Sequence, residues 1–325
     1  MPQTLLLKLT AFVLAALACV AVPAQTNWPQ KPIKIVVAYP AGSTGDNVVR
    51  LLSEDLRRRL GQPIIVDNRV GAGGNIGASV VAQASPDGYT LLVGAANNFA
   101  INQFLYKSMG FDPVKAFEPI AVLVDVPSVV FVNTTLPAKT FPEFASYAQA
   151  NPGKLNYGSP GAGTPPHLAA ELINQNAKLG LIHVAYKGSP STVAALLAND
   201  VQMILAGAGV GASHVKAGKL RAIAVGGSAR LAEFLDVPTL TELGLGSVRA
   251  STWWGLAAPK GTPPEVIERL NRSFHEALAN PGLQRQLRDL GALPVGGTSA
   301  DMAKLVSDDS RYWKRAIGQM GVNLD

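Results

Sequence analysis

The sequence predicts an α/β protein of two domains, each a mostly parallel sheet flanked by helices, facing each other across a cleft. Three observations predict it. Short β-branched runs alternate with amphipathic stretches along the chain, the pattern of parallel strands covered by helices. Four glycine-rich junctions each follow a strand candidate and open a helix, two in the first third of the mature chain and two in the middle. The 325 residues are 48% hydrophobic and only 15% charged. That suffices for two cores and falls below the roughly 25% charge of average chains.

The first 24 residues read as a signal peptide. "MPQTLLLK" carries one cation, Lys8, before the apolar stretch "LTAFVLAALACVAV". Val22-Pro23-Ala24 then places small residues for cleavage after Ala24. Free secretion is therefore expected. Cys19 raises the alternative of a lipid anchor, but Ala16 stands where a lipobox needs an aliphatic residue. Cleavage removes the chain's one cysteine. Disulfides, thiolate nucleophiles and Cys-ligated metals are then excluded. No later apolar run approaches the roughly 20 residues of a spanning helix.

The elements follow in order. Branched residues predict a strand over 33–38. Val48, Leu52, Leu56 and Leu60 recur at i+4 and predict a helix over 46–60. Its basic end, Arg57-Arg58-Arg59, suits a solvated helix C-terminus. With a net charge of only +6, no nucleic-acid partner is expected. Strands over 63–67 and 90–93 flank a helix over 76–84. Strands follow over 120–124 and 128–133, then a helix over 141–150. Strands over 155–157 and 183–185 precede helices over 166–175 and 192–198. Strands over 203–205, 222–225 and 253–258 come next. Helices over 263–279, 283–290 and 300–320 end the chain. Their signals are Thr262 as an N-cap, Gly291 as a stop and the Thr298-Ser299 start.

The junctions are residues 41–45, 69–77, 158–166 and 187–191. Ligands of open α/β sheets bind at such strand ends, and helix-start N–H groups attract anions without a nearby cation. Known cofactor motifs fail. The second junction has Ile76 where G-x-G-x-x-G needs glycine, so no dinucleotide is expected. No P-loop or G-x-S-x-G elbow occurs. His167, His183, His214 and His275 show no metal-ligand spacing. No metal or other cofactor is expected. His167 reads either as a hydrogen-bond donor in the cleft or as a first-turn residue bonded to backbone. Asp46 reads either as a helix-start carboxylate or as a ligand contact. Trp253 and Trp254 alternate on a strand, so one faces the core and the other the cleft.

Several ordered motifs resemble the tripartite tricarboxylate transporter solute receptors, the Bug family of periplasmic binding proteins. They are Pro40-Ala41-Gly42-x-x-x-Asp46, Asp67-Asn68-Arg69-x-Gly71-Ala72-Gly73-Gly74-Asn75-Ile76-Gly77 and Pro86-Asp87-Gly88-Tyr89-Thr90-Leu91-Leu92. Asn156-Tyr157-Gly158-Ser159-Pro160-Gly161 with His167-Leu168-Ala169, Tyr186-Lys187-Gly188 and Ala258-Pro259-Lys260-Gly261-Thr262-Pro263 continue the series. The likeness runs over residues 28–321. It implies a Venus-flytrap receptor of the type II kind, monomeric, with two crossing strands. Domain 1 would be 27–126 with 252–325, and domain 2 would be 127–251. It implies a small mono-, di- or tricarboxylate held between the domains and handed to membrane transporter subunits, without catalysis. The contacts implied are Tyr39, Ala41, Gly42, Ser43, Asp46 and Asn98 on one side. Ser159, Gly161, Thr164, His167, Lys187, Gly188, Ala206 and Trp254 complete the set.

This chain departs from the family in two places. Ala206-Gly207-Ala208 stands where an acidic residue and Asn are common, and Gly42-Ser43 replaces Gly-Gly. The lost carboxylate argues against an ammonium or many hydroxyls at the ligand's far end and leans toward an end that is apolar or itself anionic. A periplasmic sensor using the same binding fold is the alternative function. A secreted hydrolase of small esters or amides is a further one, opposed by the missing elbow and metal spacing.

Overall fold

The computed structural model describes residues 28–227, 229–322 and 324. The leader, Cys19 and the cleavage site after Ala24 lie outside the described residues. Strand β1 (Ile33–Val37) lies between β2 (Ile64–Asn68) and β3 (Thr90–Ala95), parallel to both. Helix α1 (Thr44–Leu60) joins β1 to β2, and α2 (Asn75–Ala82) joins β2 to β3. The i+4 stripe of α1 is buried: Val48, Leu52, Leu56 and Leu60 are all in the core, each contributing about 1.5–3 kcal/mol. The basic run at its end is ion-paired. Arg57 meets Glu54, Arg58 meets Asp55, and Arg59 meets both Asp55 and Glu276.

Strand β4 (Phe117–Asn133) is one continuous 17-residue strand where the sequence suggested two. Asp125 and Pro127 break its apolar run without breaking the strand. Its first half pairs with β9 (Ser251–Pro259), which also pairs β3. Its second half pairs with β7 (Met203–Gly207) and β8 (Leu220–Val225). Strand β5 (Asn156–Ser159) lies between β6 (Ile182–Ala185) and β7, parallel to both. The changeover falls at Pro127, which pairs Ser251, next to Ser128, which pairs Gly207. Proline has no N–H to give a ladder, so it suits the point where one sheet ends.

The expectation of mostly parallel sheets needs correction. Parallel ladders join β1–β3 and β5–β7, but every ladder to β4 and β9 is antiparallel. Right-handed βαβ windings impose parallel neighbours. Strands β4 and β9 are placed by the passage between sheets instead. Among the described residues, β4 alone has ladders in both sheets. The ladders of β9 all lie in the first.

The helices of the second sheet are α3 (Phe141–Gln149), α4 (Pro165–Asn176), α5 (Ser189–Ala198) and α6 (Ala208–Lys216). Those after β9 are α7 (Pro264–Leu278), α8 (Pro281–Asp289) and α9 (Ser299–Met320). Helix α7 packs on α1 and β4, and α9 on β4. Thr298 caps α9 in a reciprocal box with Asp301. Thr262 does not cap α7. Pro263 takes that place, and the Thr262 hydroxyl donates to the Pro259 carbonyl. Helix α6 and the short β10 (Leu293–Gly296), antiparallel to β4, carried no sequence expectation.

Candidate anion-binding site

A cavity of about 900 Å³ lies between the two sheets. All four glycine-rich junctions reach it. Its floor is the changeover itself: Val126 and Ser128 on β4, Thr252 and Trp254 on β9. The wall from the second sheet sets apolar Val193, Ala194 and Leu197 of α5 and Val210 of α6 beside Lys187, Ser189 and His214.

The first junction leaves β1 at Tyr39, turns at Gly42 with φ 80°, and enters α1. A side chain is strained at that φ, so glycine serves it. The Ser43 hydroxyl accepts from the Asp46 N–H. The Asp46 carboxylate points back. It accepts from the Gly42 N–H at 2.9 Å, the Arg50 guanidinium at 2.9 Å and the Asn68 amide at 3.1 Å. Burial opposes ionisation of Asp46, but Arg50, the Gly42 N–H and Asn68 together hold its carboxyl below the usual range. Helix starts leave backbone donors without intrahelical acceptors. The Thr44 N–H takes no acceptor among the described residues.

The second junction is pinned by amides. The Gly73 carbonyl accepts from the side chains of Asn97 at 2.7 Å, Asn98 at 3.1 Å and Asn102 at 3.2 Å. Asn97 also accepts from the Tyr39 hydroxyl at 2.6 Å. Tyr39 in turn packs edge-on against Trp254, ring centres 5.0 Å apart. Burial, above all, pushes the Tyr39 phenol far up. The group is a neutral donor.

The third junction, β5 to α4, rests on imidazoles. The Gly163 N–H donates to His167 Nδ1 at 3.0 Å, and the Gly161 N–H to the Ser159 hydroxyl at 3.3 Å. That hydroxyl lies 2.7 Å from His183 Nε2, and the two imidazoles stack with centres 3.9 Å apart. Burial, then the neighbouring His183, pushes His167 down to about 4. An Nδ1 that accepts a hydrogen bond carries no proton, so geometry and environment agree. The fourth junction leans on the third: the Gly188 N–H donates to the Pro160 carbonyl at 3.0 Å. The Ser189 N–H, opening α5, takes no acceptor among the described residues.

Of the expected contacts, Tyr39, Ala41, Gly42, Ser43, Gly161, Thr164, Lys187, Gly188 and Trp254 line the cavity. Asp46, Asn98, Ser159, His167 and Ala206 do not line it. Asp46, Ser159 and His167 stand behind the loops they bond. Asn98 spends its amide on Gly73 and on the Ala95 N–H, and its neighbour Asn97 takes the lining place. The chain turns there through a short π-helical stretch, Asn97–Ile101, which sequence periodicity does not foretell. Ala206 packs into the core, and Gly207 lines the cavity instead. Trp254 faces the cavity, whereas Trp253 stacks on Phe99 and donates to Asp309. Ser128, Ser189, His214 and Thr252 also line it without having been expected. Strand alternation from Trp254 would have found Thr252.

Among the described residues, no Asp or Glu lines the cavity. Its chargeable groups are Lys187 and His214, besides the phenol of Tyr39. Three helix starts and no carboxylate favour an anion.

Residues 48–322 match the model of the tripartite tricarboxylate transporter family receptor. A Cupriavidus necator protein of the UPF0065 group, from the gbd 5' region, is 37% identical over 312 residues, 95% of this chain and 94% of that protein. The structure of R. palustris Rpa4515 with adipate is similar at a TM-score of 0.86 and 32% identity, covering 91% of this chain and 99% of that one. MatC from Rhodopseudomonas palustris with bound malate is similar at 0.82 and 31%, covering 89% and 100%.

Proposed function

As the chain belongs to the tripartite tricarboxylate transporter receptor family, we propose that it captures a small organic acid between two domains for a transporter of that kind. The observation that carries this reading is the convergence of the α1, α4 and α5 starts on one cavity without a lining carboxylate. Backbone N–H groups and helix dipoles hold the ligand's carboxylate, and the protein performs no chemistry on it. Similar proteins solved with adipate and malate support a carboxylate. The domains in this reading are 27–126 with 252–325, and 127–251, closing about the β4–β9 changeover. Closure brings the second pair of junctions onto an anion held by the first. Ligand therefore favours the closed state by its difference in affinity for the two. The working location is the periplasm, reached through a leader cut after Ala24.

A thermal-shift screen against mono-, di- and tricarboxylates tests this. An acid at about 100 times its Kd adds roughly 2.7 kcal/mol of stability, a shift of a few degrees. A panel in which no acid raises the melting temperature would overturn the reading.

A further inference from the structure

The cavity does not stop at the glycine-rich junctions. Helices α5 and α6 follow β6 and β7, which both pair in parallel with β5. Both helices therefore start at one edge of the second sheet, and they lead away from it packed side by side. One stripe of each lines the cavity: Ser189, Val193 and Leu197 on α5, and Val210 and His214 on α6. Residues four apart share a helix face. Eight residues separate Ser189 from Leu197, a rise of about 12 Å. The cavity thus runs out as a groove between the two helices. Its inner end carries Ser128, Lys187 and Ser189, its middle is aliphatic, and His214 stands at its outer end. The His214 ring is half-buried and makes no hydrogen bond or ion pair among the described residues. His167, by contrast, gives its Nδ1 to a backbone N–H.

Resting on the carboxylate reading above, we propose that His214 is a specificity residue that takes the second carboxylate of a long linear diacid. One carboxylate lies at the starts of α1, α4 and α5. The methylene chain runs along Val193, Leu197 and Val210, and the far carboxylate accepts from the His214 ring. An imidazole carries at least one N–H donor whether neutral or protonated. An ammonium at the far end is excluded, because among the described residues no Asp or Glu lines the cavity to compensate it. A short diacid is disfavoured too. Its second carboxylate would stop among the aliphatic side chains, short of His214, where an unpaired charge is costly.

Monoacids and diacids of equal length test the assignment: butanoate with succinate, hexanoate with adipate, octanoate with suberate and decanoate with sebacate. Affinities are measured by calorimetry on the wild type, His214→Ala and His214→Gln. The preference for diacid over monoacid is taken within each variant, so a change in folding cancels. The expected result is a preference of about tenfold in the wild type at suberate or sebacate, the worth of one charge-assisted hydrogen bond, and none at succinate. His214→Ala abolishes the preference, and His214→Gln, whose amide still donates, retains part of it. A preference that survives His214→Ala unchanged overturns the assignment while leaving the carboxylate reading intact. A wild type that binds monoacids and favours no long diacid overturns it too, as does a preference greatest at succinate. If no acid of either series binds the wild type, the carboxylate reading fails, and the assignment with it.

Discussion

Behind the β1–α1 loop stands an ionised carboxylate, and behind the β5–α4 loop stand two stacked neutral imidazoles. Both loops turn a helix start toward the same cavity, and each is held by side chains that bond its backbone N–H groups from behind. The Asp46 carboxylate accepts from Gly42. His167 Nδ1 accepts from Gly163, and the Ser159 hydroxyl from Gly161. The difference teaches that donor geometry in the first loop depends on a charge, and in the second on the absence of one. Acid should therefore affect the two loops differently. So should substitution.

The largest effect is expected at Asp46. It is 2% exposed and accepts from a backbone N–H, a guanidinium and an amide. Asp46→Ala leaves the Gly42 N–H and one of the two Asn68 amide N–H groups without an acceptor, while the other keeps the Tyr39 carbonyl. Hydrogen bonds to charged groups are each worth about 1.5–3 kcal/mol. Arg50 is half exposed and can return to water, so its share is small. The expected outcome is a loss of about 2–3 kcal/mol in urea unfolding and a loss of ligand binding of a hundredfold or more by calorimetry. Wild-type affinity in Asp46→Ala would show that the first loop needs no anchor, and the comparison would fail.

The second loop should give way to acid before the first. His167 titrates at about 4 in the fold, against 6.5 for the free side chain. Its folded value is depressed, so the stability it contributes is complete above pH 6.5. That stability is lost as pH falls from 6.5 toward 4. Over this window the unfolded chain takes up a proton that the fold refuses, worth at most about 3 kcal/mol. The groups facing it are His183, also pushed down by burial, and Glu171. Asp46 is depressed from 3.8, so its contribution persists throughout the same window. Urea melts and calorimetry between pH 7 and 4.5 should show stability and affinity falling together. In His167→Gln the amide oxygen replaces Nδ1 as acceptor and the slope should flatten. An unchanged slope would assign the acid sensitivity elsewhere, to His183 or to the loop carboxylates.

The same contrast bears on how much was legible in the sequence. Strand and helix periodicity placed β1, α1, β5 and α4 within a few residues, and the glycine-rich junctions marked the cavity's rim. What stands behind the loops was not legible. His167 and His183 lie sixteen residues apart in sequence, and only the parallel pairing of β5 with β6 brings Tyr157 beside His183. Helix α6 was missed because close packing hides it. A Cβ at Gly209 would sit 2.4 Å from the Leu290 carbonyl, and one at Gly211 2.4 Å from the Phe131 ring. The glycines that let α6 pack removed its helical signature. Strand β10 is four residues long and holds Pro294 and Gly296, which read as a loop. The changeover in β4 could not be read either. Pro127 falls between the strands expected over 120–124 and 128–133, and it marks the passage from one sheet to the other.

The smallest effect sharpens the comparison from outside both loops. Lys187 lines the cavity but is exposed. A salt bridge made there stands in water, and exposed pairs give about 0.2–1 kcal/mol. If anchored backbone donors hold the anion, Lys187 mainly draws it in. Lys187→Ala should then weaken binding two- to fivefold, chiefly through a slower association rate. The loss should shrink as ionic strength rises, because the Debye length falls from about 10 Å at 0.1 M salt to 3 Å at 1 M. Stopped-flow tryptophan fluorescence can follow this, with Trp254 in the cavity wall as the reporter. If Lys187→Ala instead lost a hundredfold at every salt concentration, the ammonium would be the anchor. The two loops would then be a frame around it, and their opposite chemistries would matter less than the Lys187 ammonium.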